Sequence, residues 1–179
     1  MATVLSVSLP FAGACGAERV VVDLLETFPS ATQQPAPDAF ELVQATIKGD
    51  TRPAILVKAP SRLTWKVEVP DDGWLRVGVA LREDAWTVPG DGVMFSIRIT
   101  YDKAGERTNE EVMSFLVNPY GNAADREWHD VSVDLSNHAG TAVELIFNTR
   151  SSYSPPGAPA RDDRAGDLAL WGAPRITAR

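Results

Sequence analysis

Residues 63–69 read Leu-Thr-Trp-Lys-Val-Glu-Val, so apolar and polar side chains alternate without interruption. In an extended strand, successive side chains point to opposite faces. Leu63, Trp65 and Val67 would then share one face, and the polar residues between them would share the other. The stretch therefore predicts a β-strand with one buried and one polar face, which is typical of an antiparallel sheet.

The same period of two recurs in both directions along the chain. Residues 75–81 and 93–101 repeat it, with large apolar side chains at every second position. Shorter alternating sets and apolar runs occur at 20–25, 55–57, 112–117, 131–135, 143–147 and 168–176. Turn-forming clusters of proline, glycine, aspartate and asparagine lie at 70–73, 89–92, 102–105 and 118–122. At least eight short strands with regular turns predict an all-β fold, a two-sheet antiparallel β-sandwich of jelly-roll type.

Two segments carry competing helix signals. Asp38 and Glu41 form a capping-box pattern that could start a helix over 40–47. The sequence Asn-Glu-Glu at 109–111 could likewise start a short helix ahead of 112–117. We predict strands over 40–47 and 112–117, with short helices as the alternative.

Length, charge and cysteine content exclude several classes of protein. The chain has 179 residues, enough for one domain with a sizeable core, and its formal net charge is −7. An acidic chain is not drawn to polyphosphate, so we predict no nucleic-acid partner. No uncharged apolar run in the body of the chain reaches the roughly 18 residues of a membrane span. The one cysteine, Cys15, excludes an internal disulfide and a cysteine-based zinc site.

Residues 1–17 contain no charged side chain, and an apolar stretch is followed there by small residues. This order resembles the end of a secretory signal, and Ala-Gly-Ala-Cys at 12–15 is similar to a lipoprotein box that would lipidate Cys15. We therefore expect a signal or lipoprotein-type segment at 1–17, one β-sandwich domain at 18–179, and export to the periplasm, cell surface or medium. The alternative is an ordinary first strand with Cys15 buried.

A family resemblance rests on three stretches of sequence. Residues 128–140 read Trp-His-Asp-Val-Ser-Val-Asp-Leu-Ser-Asn-His-Ala-Gly, and 143–149 read Val-Glu-Leu-Ile-Phe-Asn-Thr. Together they resemble a hairpin of galactose-binding-like β-sandwich domains in carbohydrate-active proteins. Residues 167–176 resemble the last strand of such modules, and 90–97 the middle strand of their bacterial versions. The resemblance covers about 74–176 and implies the fold, which hosts carbohydrate binding, protein binding and structural roles.

Aromatic residues are the first candidates for a sugar site. Sugars stack on exposed aromatic rings and satisfy their hydroxyl groups with planar polar side chains. Trp86, between two strands, and the loop residues Tyr120 and Tyr153 are candidates for exposed platforms, and the alternative for all of them is a hydrophobic side chain that anchors a loop. Trp74 could also be exposed. Trp65 is predicted to be a core residue because it lies on an apolar alternating face. Trp128 and Trp171 are predicted to be core residues because of their positions in the resemblance.

Polar residues on the strands are the second candidates. If the alternation holds, one sheet surface would carry a polar binding strip formed by Arg76, Ser96, Arg98, Glu144 and Asn148. The alternative is a solvated face with weak cross-strand ion pairs. The predicted ligand-binding residues are Trp86, Tyr120, Arg98, Arg76 and Asn148.

Catalytic and metal-binding signals are weaker. His129 and Asp130 are adjacent on a predicted strand and point to opposite faces, so they do not form an acid–base pair. His138 lies in a predicted bend, and no nucleophile elbow, phosphate loop or zinc motif is present. We predict no catalytic residue and no cofactor.

The resemblance leaves room for a structural calcium ion. Its oxygen ligands would come from the acidic residues Asp162, Asp163 and Asp167, with Asp23 or Glu26. Arg161 and Arg164 could neutralise this cluster instead, so the metal site stays open.

The sequence therefore predicts a non-catalytic module that binds glycan, or serves as an accessory domain, at the cell envelope or in an exported protein. The alternative is a protein-interaction or assembly β-sandwich without a small ligand. A hydrolase ranks third, because it would need two carboxylates, or a histidine and a carboxylate, in one cleft.

Overall fold

The computed structural model describes residues 17–151 and 168–179, and their ordered elements are β-strands and short 3₁₀ turns. The strands are β1 Arg19–Asp23, β2 Thr32–Gln34, β3 Phe40–Ile47, β4 Asp50–Lys58, β5 Ser61–Glu68, β6 Trp74–Leu81, β7 Val93–Lys103, β8 Glu106–Val117, β9 His129–Asp134, β10 Ala142–Ser151 and β11 Leu168–Ala178. The 3₁₀ turns are Phe28–Ser30, Pro37–Ala39, Glu83–Thr87, Ala123–Asp125 and Ser136–His138.

The strands form two antiparallel sheets. Sheet A has the order β3-β4-β11-β6-β9, and β1 joins it by pairing with the second half of β11. Sheet B has the order β2-β5-β10-β7-β8. Strand neighbours in each sheet are mostly distant in sequence, so the chain passes repeatedly between the sheets. The predicted all-β, two-sheet antiparallel sandwich of jelly-roll type is confirmed.

Aromatic residues from both sheets fill the space between them. Trp171 of β11 in sheet A contacts Phe95 and Phe147 of sheet B, with ring centroids 4.9 and 4.5 Å apart. Phe147 also meets Trp65 at 5.1 Å. The inward side chains predicted from the period of two are buried in this core, as shown by Leu63, Val77, Ile97 and Leu145. Every second residue of the central strands therefore faces the core, and the residues between them face outward.

A smaller apolar cluster covers the outer face of sheet A. Trp128 packs there with buried side chains of β3, β4, β6 and β11, namely Ala45, Ile47, Ala54, Ala80 and Leu170. Trp171 and Trp128 are thus both buried, as predicted, but on opposite faces of the same sheet. Sheet A is apolar on both faces over this area, which a simple alternation of apolar and polar residues does not describe.

Both segments with competing helix signals are strands, as predicted. Residues 109–111 belong to β8, which begins at Glu106 because a tight turn after β7 starts a long hairpin. The helix alternative at 109–111 is therefore wrong. The capping-box pattern at Asp38 corresponds only to the 3₁₀ turn Pro37–Ala39, after which β3 begins at once.

The expected signal or lipoprotein-type segment and its Cys15 lie outside the described residues, apart from Ala17. The same holds for Tyr153 and for all the residues of 161–167 that were predicted as calcium ligands or their neutralising arginines. Among the described residues, the helical turns are too short and too polar to cross a membrane.

Candidate functional site

A cleft of about 890 Å³ lies on the outer face of sheet B. We call it the sheet B cleft. Its described lining residues are Ser30, Thr32, Gln34, Arg62, Thr64, Lys66, Thr100, Arg107, Asn109, Glu144 and Ile146. All five strands of sheet B supply side chains that point away from the core, and Ser30 comes from the 3₁₀ turn before β2.

The strand register sets the order of side chains across the cleft. Thr64 of β5 lies between Thr32 of β2 on one side and Ile146 of β10 on the other. Arg98 of β7 follows next to Ile146 in the same row. Thr64 is therefore central, and Ile146 forms a buried apolar floor beneath otherwise polar walls.

Ion pairs and hydrogen bonds fix several of the polar side chains. Arg107 pairs with Glu144 within the cleft, and Arg98 pairs with Glu111 beside it, at 3.2 Å between Nη2 and Oε2. Cross-strand pairs of this kind are what the solvated-face alternative predicted, and each stabilises the fold only weakly.

Two cations of the cleft have no such partner. Arg62 donates from Nε to Oδ1 of Asn148 at 2.8 Å, and Lys66 makes no hydrogen bond to a described residue. No described carboxylate lies within ion-pair distance of either side chain. The cleft therefore presents one guanidinium and one ammonium group to solvent.

The structure separates the five predicted ligand-binding residues. Arg98 and Asn148 lie on the outer face of sheet B, together with Ser96 and Glu144 of the predicted strip. Arg76 lies on the outer face of sheet A. The expectation that one sheet surface carries the whole strip is therefore wrong for Arg76, because alternation along a strand predicts the face but not the sheet.

The two aromatic candidates also lie apart from the cleft. Trp86 is only partly exposed, because its ring packs on the outer cluster of sheet A and its Nε1 donates to the carbonyl oxygen of Leu81 at 3.2 Å. The prediction of a freely exposed platform at Trp86 thus needs correction. Tyr120, in the loop after β8, is 50% exposed. A ligand contact by either residue stays a prediction.

Arg76 is held in a local network on sheet A. Its guanidinium lies over the ring of Trp74 at 4.8 Å, and its Nε donates to Oε1 of Glu18 at 2.9 Å. The hydroxyl of Thr177 donates to the same oxygen at 2.6 Å. These two hydrogen bonds hold the pKa of Glu18 below its ordinary value, and the bond from Thr177 has the larger effect.

The lowered pKa of Glu18 predicts a loss of stability in acid. A carboxylate whose pKa is depressed by folding stabilises the folded state above its unfolded pKa, and this contribution disappears as the pH falls through the folded pKa. Replacing Glu18 with glutamine should therefore shrink the drop in melting temperature between about pH 5 and pH 3. Glu26→Gln is the control, because the exposed side chain of Glu26 accepts no hydrogen bond from a described residue. Identical pH profiles for the native chain and Glu18→Gln would contradict the assignment.

The two histidines do not assemble a hydrolytic site in the cleft. Nε2 of His129 lies 4.0 Å from Oδ1 of Asp125, and Nε2 of His138 lies 3.6 Å from Oε2 of Glu110. Both imidazoles pack against aromatic rings, and neither lines the sheet B cleft. The described lining contains a single carboxylate, from Glu144.

No metal centre is assembled within residues 17–151 and 168–179, which contain no group of three or more candidate ligands close enough together. Oδ1 of Asp23 instead accepts from the backbone N–H groups of Leu25, at 2.8 Å, and Glu26, so it stabilises the turn after β1. The calcium site stays a prediction.

Sequence reasoning missed the three cations of the cleft. Arg62 and Lys66 flank Thr64 on the polar face of β5, and Arg107 lies on β8. The polar residues of the stretch 63–69, which include Lys66, could have indicated this surface. Only the strand order shows that these residues face one cleft.

Comparison with known proteins yields one relative and several similar folds. No protein-family model matches the chain. It is 36% identical over 138 residues to an uncharacterized protein of the archaeon Archaeoglobus fulgidus, a match that covers 76% of this chain and 30% of that protein. The chain thus spans less than a third of this relative, and the bacterial origin implied by the resemblance stays a prediction.

Two solved structures share the architecture at low sequence identity. The CBM22-1–CBM22-2 tandem domain of Paenibacillus barcinonensis Xyn10C has a TM-score of 0.54 at 8% identity, covering 88% of this chain and 49% of that one. A Clostridium perfringens ZmpB structure with an M60 catalytic domain and two CBM51 domains has a TM-score of 0.50 at 14% identity, covering 82% and 14%. The fold of this chain is therefore the galactose-binding-like β-sandwich found in carbohydrate-binding modules.

Proposed function

We propose that this chain is a non-catalytic glycan-binding module, an accessory domain of an exported protein, and that the sheet B cleft holds the saccharide. The observation that carries the proposal is the cleft itself, a polar depression of about 890 Å³ on a sandwich of this fold. Its volume falls within the range of small-molecule sites.

The chemistry of the lining matches that of a sugar. Hydroxyl groups of Thr32 and Thr64, together with the amides of Gln34 and Asn109, offer both donors and acceptors to sugar hydroxyl groups. Ile146 and the methylene stems of the long cationic side chains offer apolar contact to the CH groups of the ring.

The remaining parts of the proposal rest on broader observations. The match to part of a longer archaeal protein supports an accessory module, since it covers 30% of that protein. Residues 1–17 contain no charged side chain and place an apolar stretch before small residues, which supports export. A catalytic role has less support, because the described lining of the cleft brings neither histidine to its single carboxylate.

Blocking the cleft tests the proposal. Thr64→Trp places an indole in the middle of the cleft, between Thr32 and Ile146, and should weaken polysaccharide binding at least about tenfold. Thr51→Trp is the matched control, because Thr51 is an exposed strand residue on sheet A and lines no part of the cleft. The measurement is affinity electrophoresis of both variants against neutral and acidic soluble polysaccharides.

If a polysaccharide that binds the native chain retains Thr64→Trp and Thr51→Trp equally, the proposed location of the site is refuted. If no polysaccharide retains the native chain, the glycan proposal itself fails, and association with protein becomes the better candidate. Its surface would then be the edge strand β8, where Phe115 and Leu116 are exposed.

A further inference from the structure

We infer that the saccharide bound in the sheet B cleft is acidic, bearing carboxylate or sulfate groups that Arg62 and Lys66 recognise. This inference rests on the proposed function and narrows it to one class of ligand.

The charge of the cleft is opposite to that of the chain. Three cationic side chains line it, from Arg62, Lys66 and Arg107, against one carboxylate from Glu144. The whole chain has a formal net charge of −7. A positive cleft on an acidic protein concentrates field lines and draws anions to that place rather than to the surface at large.

Arg62 is oriented to bind two oxygens of one anionic group. Its Nε is already bound to Oδ1 of Asn148, and Asn148 is itself only 8% exposed, so the guanidinium starts from a fixed position. The two Nη groups make no hydrogen bond to a described residue. A guanidinium with both terminal nitrogens free matches the spacing of two oxygens in a carboxylate or sulfate group. Asn148 is therefore a positioning residue for Arg62.

Lys66 supplies a second charge on the same face of β5. It lies opposite Glu144 in the strand register, but Glu144 is already paired with Arg107. Four residues along a strand separate Arg62 from Lys66, which corresponds to roughly 13 Å. The two cations can therefore contact acidic groups on different sugar units of one oligosaccharide.

The described lining offers no stacking platform for a neutral sugar. It contains Ile146 as its apolar side chain and no aromatic ring. Without a ring to cover the CH face of the sugar, affinity has to come from hydrogen bonds, and those to charged partners are the stronger ones. This composition favours an acidic ligand over a neutral one of similar size.

Matched pairs of polysaccharides test the inference on the full 179-residue chain. Polygalacturonate is compared with its fully methyl-esterified form, and dextran sulfate with dextran, so that the members of each pair share one sugar backbone and differ in whether it carries acidic groups. We expect binding to one or both acidic members, at least about tenfold weaker binding to the neutral partners, and weakening by added salt. The pair that responds tells carboxylate from sulfate recognition.

Charge-removing variants assign the effect to the cleft. Arg62→Gln and Lys66→Gln should each weaken binding of the acidic polymer about tenfold, which is the usual effect of losing one charged hydrogen bond. Lys58→Gln removes the same charge from the outer face of sheet A and should leave the affinity unchanged. Circular dichroism of each variant checks that the sandwich is intact.

Each other outcome decides against the inference in a different way. Equal binding of neutral and acidic polymers, lost in Thr64→Trp, would overturn acid recognition and leave glycan binding standing. Absence of binding to both acidic polymers would overturn acid recognition, whereas the glycan proposal fails only if no polysaccharide of the wider electrophoresis panel retains the native chain. Equal losses in Lys58→Gln and Lys66→Gln would make the attraction non-specific. Tighter binding of duplex DNA than of either acidic polymer, weakened by the same variants, would assign the cleft to nucleic acid.

Discussion

Replacing Trp171 with alanine is expected to lower the free energy of unfolding by about 3–5 kcal/mol. The side chain of Trp171 is 1% exposed and packs against Phe95 and Phe147 of the opposite sheet. Its strand, β11, lies between β4 and β6 at the centre of sheet A. Truncation leaves a large cavity where the two sheets meet, and the rigid backbone on both sides cannot close it.

Urea denaturation followed by circular dichroism measures this loss. Trp74→Ala is the matched control, because Trp74 is only partly buried and lies on the outer face of the same sheet. It should cost clearly less than Trp171→Ala. If Trp171→Ala does not fold, Trp171→Phe keeps the comparison measurable and should still destabilise the chain more than Trp74→Ala. Equal losses at the two positions would mean that Trp171 does not join the sheets.

Local sequence patterns predicted which face of a strand each residue lies on. They did not predict which strands pair with each other. Trp65 and Ile97 are buried, as the alternation of apolar residues along their strands predicts, and this period of two is a local property. Arg76 and Arg98 show the limit of the same reasoning. Both point away from the core, yet they lie on different sheets, since strand order depends on pairings between distant segments such as β6 with β9 and β10 with β7.

The sheet B cleft was harder to predict for the same reason. Ser30 and Arg107 are 77 positions apart in the sequence, and they line one cleft only because β2 and β8 belong to the same sheet. Aromatic residues attracted attention in the sequence because sugars stack on them, yet the described lining relies on charge and hydroxyl groups. Composition identifies residues able to bind sugar, but the register decides which of them meet.

The outer cluster of sheet A is a feature that alternation along the strands does not predict. Leu170 and Ala80 occupy outward positions of their strands and are nevertheless buried, because Trp128 covers them. Trp128 reaches this place across two glycines, Gly78 and Gly172, which pair with each other in neighbouring strands. The absence of side chains at these two positions leaves a flat floor for the indole ring.

Gly172→Ala is expected to destabilise the sandwich by about 1–3 kcal/mol, the usual cost of overpacking. A β-carbon at this position would lie 2.7 Å from Cζ3 and 2.9 Å from Cη2 of Trp128. The ring cannot easily retreat, because its Nε1 donates to the carbonyl oxygen of Asp50 at 3.1 Å and the guanidinium of Arg52 lies over it at 5.1 Å. Without this contact, alanine in place of a strand glycine would stabilise the chain by restricting its unfolded state.

A double-mutant cycle separates the clash from the backbone effect. In a Trp128→Leu background the bulky ring is absent, so adding the methyl group of Gly172→Ala should cost at least about 1 kcal/mol less than in the native chain. Urea denaturation of the four proteins gives this coupling energy. A zero coupling would show that the glycine is required by the strand itself. A large coupling energy would show that the glycine pair makes room for the ring of Trp128, which packs on the outer face of sheet A.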